Sequence, residues 1–162
     1  MNRRYTAEEF EEVVKRLRNI YDDVILTTDI IVGFPLETDE EFEETYQFLK
    51  KINFFKMHVF KYSPRAGTKA ATMNEQIPGD IKEKRSKILI ELSDKNEEEY
   101  LKSYIGKEVE VLFEEKDKEG FYKGHTSNYI MVKAKVSEDI SGKILKVKVT
   151  ESLKTELIGI MV

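Results

Sequence analysis

The hydrophobic rhythm of this chain changes once, abruptly, at Ile105-Gly106. Before that point apolar residues recur at helical spacing or in short unbroken runs. After it they alternate: Val109, Val111 and Phe113; Ile130, Val132, Ala134 and Val136; Val147 and Val149; Ile158, Ile160 and Val162. A period near 3.6 and a period of 2 describe different elements. The chain therefore divides into two expected pieces, 1–104 and 105–162. Turn residues at Asp117–Gly120, Ser127-Asn128 and Ser137–Gly142 separate the alternating runs, which predicts a small all-β barrel or sandwich.

The first piece reads as α/β. Thr6-Ala7-Glu8-Glu9 is a capping box, followed by Phe10, Val13, Val14 and Leu17 at helical spacing, so a helix is expected over 7–19. Residues 24–32 form a β-rich run with a polar centre, as in a parallel strand covered on both faces. Thr38-Asp39-Glu40-Glu41 opens a second helix, striped by Phe42, Tyr46, Leu49 and Ile52, and Phe54–Tyr62 is the next strand. This is a strand–helix–strand unit, for which a right-handed crossover is the rule. A long helix follows from Asp80 to about Tyr104, with Ile81, Ile88, Leu92 and Tyr100 expected on one side. Its run Glu97-Glu98-Glu99 is expected to be a solvated face.

Composition excludes several classes. The chain has no cysteine and two histidines, so it offers no disulfide and no thiolate ligand, and a zinc site is not expected. No apolar run approaches the ~20 residues of a membrane helix, and no signal peptide is visible, so the cytoplasm is expected. Residues 105–162 carry 10 basic and 10 acidic side chains, so any RNA affinity must come from a local patch.

Three stretches gather chemistry. Asp29-Ile30-Ile31-Val32-Gly33-Phe34-Pro35 is an apolar run that stops at a glycine and a Phe-Pro turn. Ligands of parallel α/β folds sit at such strand ends. Gly33 and Pro35 also suit a plain turn, and Asp29 either lines a barrel mouth or is partly exposed or bonded to Thr28 or a backbone amide. The second strand ends at Phe60, Lys61 and Tyr62, with Arg65 and Gly67 in the loop beyond, which suits stacking on a base or packing within a barrel. In the β-rich piece, Tyr122, Lys123, His125, Asn128 and Tyr129 interleave rings, a cation and an amide. Small barrels hold nucleic acid with such residues, and ordinary hairpins contain them too.

Longer strings narrow the choice. Met1-Asn2-Arg3-Arg4-Tyr5-Thr6, then Thr28 to Pro35 with Glu37-Thr38, then Tyr62-Ser63-Pro64-Arg65 with Gly67-Thr68 and Ala70-Ala71 resemble the radical-SAM methylthiotransferases in order and spacing. The β-rich piece resembles the TRAM domain, an RNA-binding barrel at the carboxyl end of those enzymes. His58-Val59-Phe60 and Leu92-Ser93-Asp94 are most similar to the branch that modifies threonylcarbamoyladenosine in tRNA. Other branches act on isopentenyladenosine in tRNA or on a ribosomal-protein aspartate.

The resemblance implies a carboxyl-terminal part of a (β/α) radical-SAM barrel followed by a five-stranded, OB-like TRAM barrel. It implies S-adenosylmethionine and two 4Fe-4S clusters in the complete enzyme, and tRNA as partner. Asp29, Ile31, Gly33, Phe60, Tyr62 and Arg65 would flank the cofactor or the target base; Tyr122, Lys123, His125, Asn128 and Tyr129 would meet RNA. The family's cluster cysteines are absent from this sequence, so they would come from an amino-terminal part outside it, and this chain alone is expected to be inactive. Leu36 stands where the family usually has glycine. A partial barrel also implies exposed strand edges and self-association.

Overall fold

The computed structural model describes residues 4–162. Met1, Asn2 and Arg3 of the first motif lie outside them. The described residues form two compact units, divided between Asn96 and Glu97.

The first unit opens with helix α1 (Ala7–Ile20), started by the Thr6–Glu9 capping box. Strand β1 (Thr27–Val32), helix α2 (Asp39–Ile52) and strand β2 (Lys56–Lys61) follow. Thr38 and Glu41 cap α2 reciprocally, and Asn53 ends it in the left-handed conformation. The strands pair in parallel, with Asp29 opposite His58 and Ile31 opposite Phe60. Among the described residues this sheet has two strands only.

The β1 strand is shorter than expected and covered on one face only. Val32, Met57, Leu49, Ile52 and Phe54 join one buried cluster with Leu89 and Leu92. Asp29, Ile31, His58 and Phe60 lie on the opposite, exposed face. The two-sided expectation treated every apolar residue of the run as core, whereas alternation along a strand sends every second one outward.

Helix α3 (Gly79–Lys102) packs Ile88 and Leu92 of the expected stripe against the core and adds polar residues to that side. Arg85, Leu89, Leu92, Ser93 and Asn96 face inward, and Ile88 is only half-buried. Its polar members reach strand and loop backbone: the Met57 amide donates to Ser93 Oγ at 2.9 Å, and Asn96 Nδ2 donates to the Phe54 carbonyl at 3.1 Å. Glu97, assigned above to a solvated face, is buried, since it is in phase with this stripe.

The second unit holds the last turns of α3 and five strands: β3 (Glu108–Lys116), β4 (Phe121–Thr126), β5 (Met131–Lys135), β6 (Ile144–Ser152) and β7 (Leu157–Met161). They close as a barrel in the order β3-β4-β5-β7-β6, parallel only between β5 and β7. Val111, Phe113, Val132, Ala134, Val147 and Val149 fill it. The β7 strand is out of phase with the expectation: Leu157 and Gly159 face inward, and Ile160 and Val162 face outward. A side chain at Gly159 would collide with Val147, so the inward position at that approach takes glycine. Shifting a strand by one residue moves all its side chains to the other face.

Candidate cofactor wall and candidate nucleic-acid interface

The end of β1 is a clamped turn. Gly33 has φ +70°, and a Cβ there would collide with Lys82 of α3. Its amide donates to Glu37 Oε2 at 2.7 Å. The same oxygen accepts from Arg85 Nη1 at 2.6 Å, while Arg85 Nη2 donates to Asp39 Oδ1 at 2.7 Å. Arg85 also reaches the Glu37 carbonyl at 3.0 Å and lies 5.3 Å from the Phe42 ring centre. At 4% exposure, the guanidinium must be paired. Burial lowers its proton affinity; the hydrogen bonds it donates to Asp39 and Glu37 outweigh that, and the net shift is upward.

The end of β2 meets this turn. The Tyr62 amide donates to the Val32 carbonyl at 2.9 Å, and the rings of Phe34 and Tyr62 pack edge-on, 5.2 Å apart. Lys82 Nζ donates to the Tyr62 carbonyl at 3.1 Å and sits 5.4 Å from its ring centre. The Tyr62 hydroxyl is buried with no hydrogen-bond partner among the described residues. Five of the six residues expected at a cofactor thus fall on one structure: Asp29, Ile31 and Phe60 on the open sheet face, Gly33 and Tyr62 at the adjoining strand ends. Arg65 stands apart on an exposed loop.

Beside the turn lies a groove of 310 Å³ lined by Ile31, Phe34, Pro35, Leu36, Glu37, Glu41 and Thr45. Leu36 borders it with φ +72°, a left-handed conformation unfavourable for a side chain by roughly 1–2 kcal/mol. Its amide donates to the Glu75 carbonyl at 3.2 Å, which holds it there. Sequence reasoning missed Arg85 and Lys82, and gave Glu37 no role beyond its place in the motif. The available signal was Arg85 itself, in phase with Leu89 and Leu92 on a stripe that should be apolar.

The residues fit S-adenosylmethionine and not a cluster. A flat apolar face and an orphaned buried hydroxyl suit an adenosyl group, whereas Gly33 is buried under Lys82 and serves the turn. No cysteine is present, and no group of three His, Cys, Asp or Glu that could hold a metal is found among the described residues.

The barrel separates its five candidates. Tyr122 is 4% exposed, and its hydroxyl donates to Asp139 Oδ1 at 3.2 Å, so its ring is core and unavailable to a base. Burial, and then the Asp139 charge, raise the Tyr122 pKa. Asn128 serves the β4–β5 turn: Oδ1 accepts from Thr126 Oγ1 at 2.6 Å, and Nδ2 donates to the Tyr104 hydroxyl at 2.9 Å. Lys123 and His125 face outward beside Glu114, whose Oε2 lies 2.8 Å from His125 Nδ1. With Glu115 and Met131 they line a recess of 370 Å³. Tyr129 is 84% exposed at φ +69°, its ring centre 5.6 Å from that of His125.

Residues 1–49 match the Radical SAM superfamily, and residues 102–162 match the TRAM domain. Threonylcarbamoyladenosine tRNA methylthiotransferase MtaB of Bacillus subtilis (strain 168) is 42% identical over 156 residues, covering 94% of this chain and 35% of that protein. The tRNA-2-methylthio-N(6)-dimethylallyladenosine synthase of Aquifex aeolicus (strain VF5) is 43% identical over 159 residues, covering 98% and 36%. That of Oceanobacillus iheyensis is 41% identical over 164 residues, covering 100% and 32%. The class is therefore a radical-SAM segment joined to a TRAM barrel. Within it, this chain is homologous over essentially its whole length to the tRNA methylthiotransferases. It spans about a third of the length of the relatives it matches. No described helix is long and apolar enough to cross a membrane.

Proposed function

We propose that this chain supplies one wall of the S-adenosylmethionine site and the RNA-holding barrel of a tRNA methylthiotransferase. The carrying observation is the meeting of Ile31, Gly33, Phe60 and Tyr62 at one end of a parallel strand pair, on a chain that continues into a TRAM barrel. The target base is a modified adenosine next to the anticodon. Threonylcarbamoyladenosine is the preferred reading, supported by His58-Val59-Phe60 and by the name of the Bacillus subtilis relative.

When bound, S-adenosylmethionine supplies the adenosyl radical and the methyl group of such a reaction. This chain's residues do the holding. Ile31 and Phe60 present apolar area to the adenine, Gly33 sets the turn that brings Phe34 and Tyr62 together, and the Tyr62 hydroxyl offers a hydrogen bond. Asp29 is the polar group of this wall, and Arg65 lies outside it on the exposed loop beyond β2. Thiolates for the two clusters come from outside these 162 residues, so the chain alone performs no sulfur insertion. With 105 as the working boundary, the first piece faces cofactor and target base, and the second holds tRNA through Lys123, His125 and Tyr129. The exposed sheet face is covered by the amino-terminal part of the enzyme or by a second copy of this chain. Work in the cytoplasm follows from a tRNA substrate.

Titration of the whole chain with S-adenosylhomocysteine, followed by amide chemical shifts, tests the cofactor half. Shifts should gather at Ile31–Phe34 and Phe60–Tyr62 and vanish in Gly33→Val. Shifts absent there would sink this half. If the chain binds tRNA and no adenosyl ligand, the reading becomes a free-standing RNA-binding protein. Reconstitution with iron and sulfide should give no stoichiometric cluster.

A further inference from the structure

The outer face of the barrel carries charge in most of its rows. Outward positions are mostly charged, among them Glu108, Glu110, Lys123, Lys133, Lys146 and Lys148. One row has no Asp, Glu, Lys or Arg. The register sets Ile144 of β6 opposite Leu112 of β3, Leu112 opposite His125 of β4, and His125 opposite Met131 of β5. Ile144 is 66% exposed and Leu112 43%. The row thus crosses four strands as a continuous, largely apolar strip.

Tyr129 extends it. The β4–β5 turn is fastened on both sides: Thr126 Oγ1 accepts from the Ile130 amide at 3.0 Å, and the Tyr129 amide donates to the Thr126 carbonyl at 3.0 Å. The turn needs a positive φ at position 129, where glycine or asparagine is the ordinary choice. A tyrosine stands there instead, its ring exposed beside His125. Backbone strain that presents a side chain to solvent points to use of that side chain.

We propose that this strip, led by Tyr129 and His125 and continued by Leu112 and Ile144, is a stacking platform for unpaired nucleobases of single-stranded RNA. This rests on the RNA-binding reading above and adds to it the form of RNA and two residues that carry no polar signal. Unpaired bases offer flat apolar faces, and aromatic or aliphatic side chains receive them without regard to sequence. Lys146 and Lys123 stand on the flanking rows, one on each side, where a phosphate backbone would run. Glu110 and Glu115 share those rows and Glu114 contacts His125, so the strip gains its hold from stacking more than from charge.

The test compares binding of an oligouridine and of a blunt RNA duplex to the whole chain at two salt concentrations. The oligouridine should bind more tightly, and Tyr129→Ala should weaken it about 10-fold or more. Tyr129→Phe should keep wild-type affinity, since the ring stays. Tyr129→Gly should raise the denaturation midpoint while losing affinity, an opposition that a purely structural tyrosine would not produce. Ile144→Ser should weaken binding without changing its salt slope. If Tyr129→Gly binds oligouridine as the wild type does, or the duplex binds equally well, the platform is wrong while the RNA reading stands. If the wild type binds neither probe nor tRNA, the RNA reading itself fails. A dimer broken by Ile144→Glu, with RNA affinity unchanged, would assign the strip to a second copy and overturn the proposal.

Discussion

The two units solve the same problem in opposite ways. A β-strand must satisfy backbone groups on both edges and bury at least one face. The barrel does so with strands alone: β6 pairs back to β3, and the inward valines and Phe113 fill the interior. Among the described residues the first unit has two strands, and α3 supplies much of what neighbouring strands would. Arg85, Ser93 and Asn96 extend polar side chains to the Glu37 carbonyl, the Met57 amide and the Phe54 carbonyl. A closed sheet rests on repeated, interchangeable contacts. An open one depends on a few individual side chains, and its bare face is what remains available to a ligand.

The sharpest way to break this contrast is at Arg85. Removing one partner of a buried ion pair leaves the other charge unmatched, at about 3–5 kcal/mol. Half of the Arg85 pairing is to Asp39, which is solvent-exposed, so Arg85→Met should destabilise the first unit by about 3 kcal/mol. Urea denaturation followed by amide signals from each unit should show residues 4–96 melting early and the barrel unmoved. A single shared transition, shifted as a whole, would mean that the units do not differ in this way.

The barrel has its own fragile point. A Cβ at Gly124 would collide with the Leu112 carbonyl and approach Phe113 Cα to 2.8 Å, and backbone atoms of a closed sheet cannot easily yield. Gly124→Ala should therefore destabilise the barrel by about 2 kcal/mol, within the range for overpacking. The same measurement should leave residues 4–96 unchanged.

Leu36 supplies a smaller effect of opposite sign. Its φ of +72° suits glycine, so Leu36→Gly should stabilise the first unit. Strain relief of roughly 1–2 kcal/mol is offset in part by the greater freedom of glycine in the unfolded chain, leaving a gain of about 0.5–1 kcal/mol. If stability falls instead, the half-exposed leucine side chain contributes packing that outweighs its backbone strain.

The capping boxes at Thr6 and Thr38, the parallel unit and the barrel strands were legible because each rests on local spacing. The failures share one cause. Arg85, Ser93 and Asn96 are buried because they answer backbone groups far away in sequence, which the phase of Arg85 with Leu89 and Leu92 could flag but not explain. The phase of β7 is set by close approach to Val147 and Lys148, so alternation alone could not choose between Ile158 and Gly159 as the inward series. At the candidate sites, residue types were legible and directions were not. Tyr122 and Tyr129 look alike in sequence, yet one fills the core and the other stands in solvent at a turn whose φ only the fold reveals.

The least of the expected effects concerns acid. In the first unit, Glu11 is held below the usual carboxylate range chiefly by hydrogen bonds from Lys51 and Lys15, and Glu83 by one from Lys61. In the barrel, Asp139 is lowered first by the Ser141 amide. Asp117 is lowered although burial opposes it, because the Phe121 and Glu119 amides outweigh that burial. All four have depressed folded-state pKa values. Their stabilisation is therefore fully present above the ordinary carboxylate range of about 4 and is lost as pH falls through the depressed values. The partners differ, and salt distinguishes them. Exposed lysine–glutamate pairs are screened at 1 M salt, where the Debye length is about 3 Å, whereas a carboxylate bonded to a fixed backbone amide is not. Denaturation midpoints across pH 6 to 3 should fall for both units at low salt. At high salt the first unit should flatten and the barrel should keep its slope, most visibly when Asp139→Asn removes part of it. Equal flattening of both would show that the barrel aspartates, too, are held by mobile charges and not by the closed backbone.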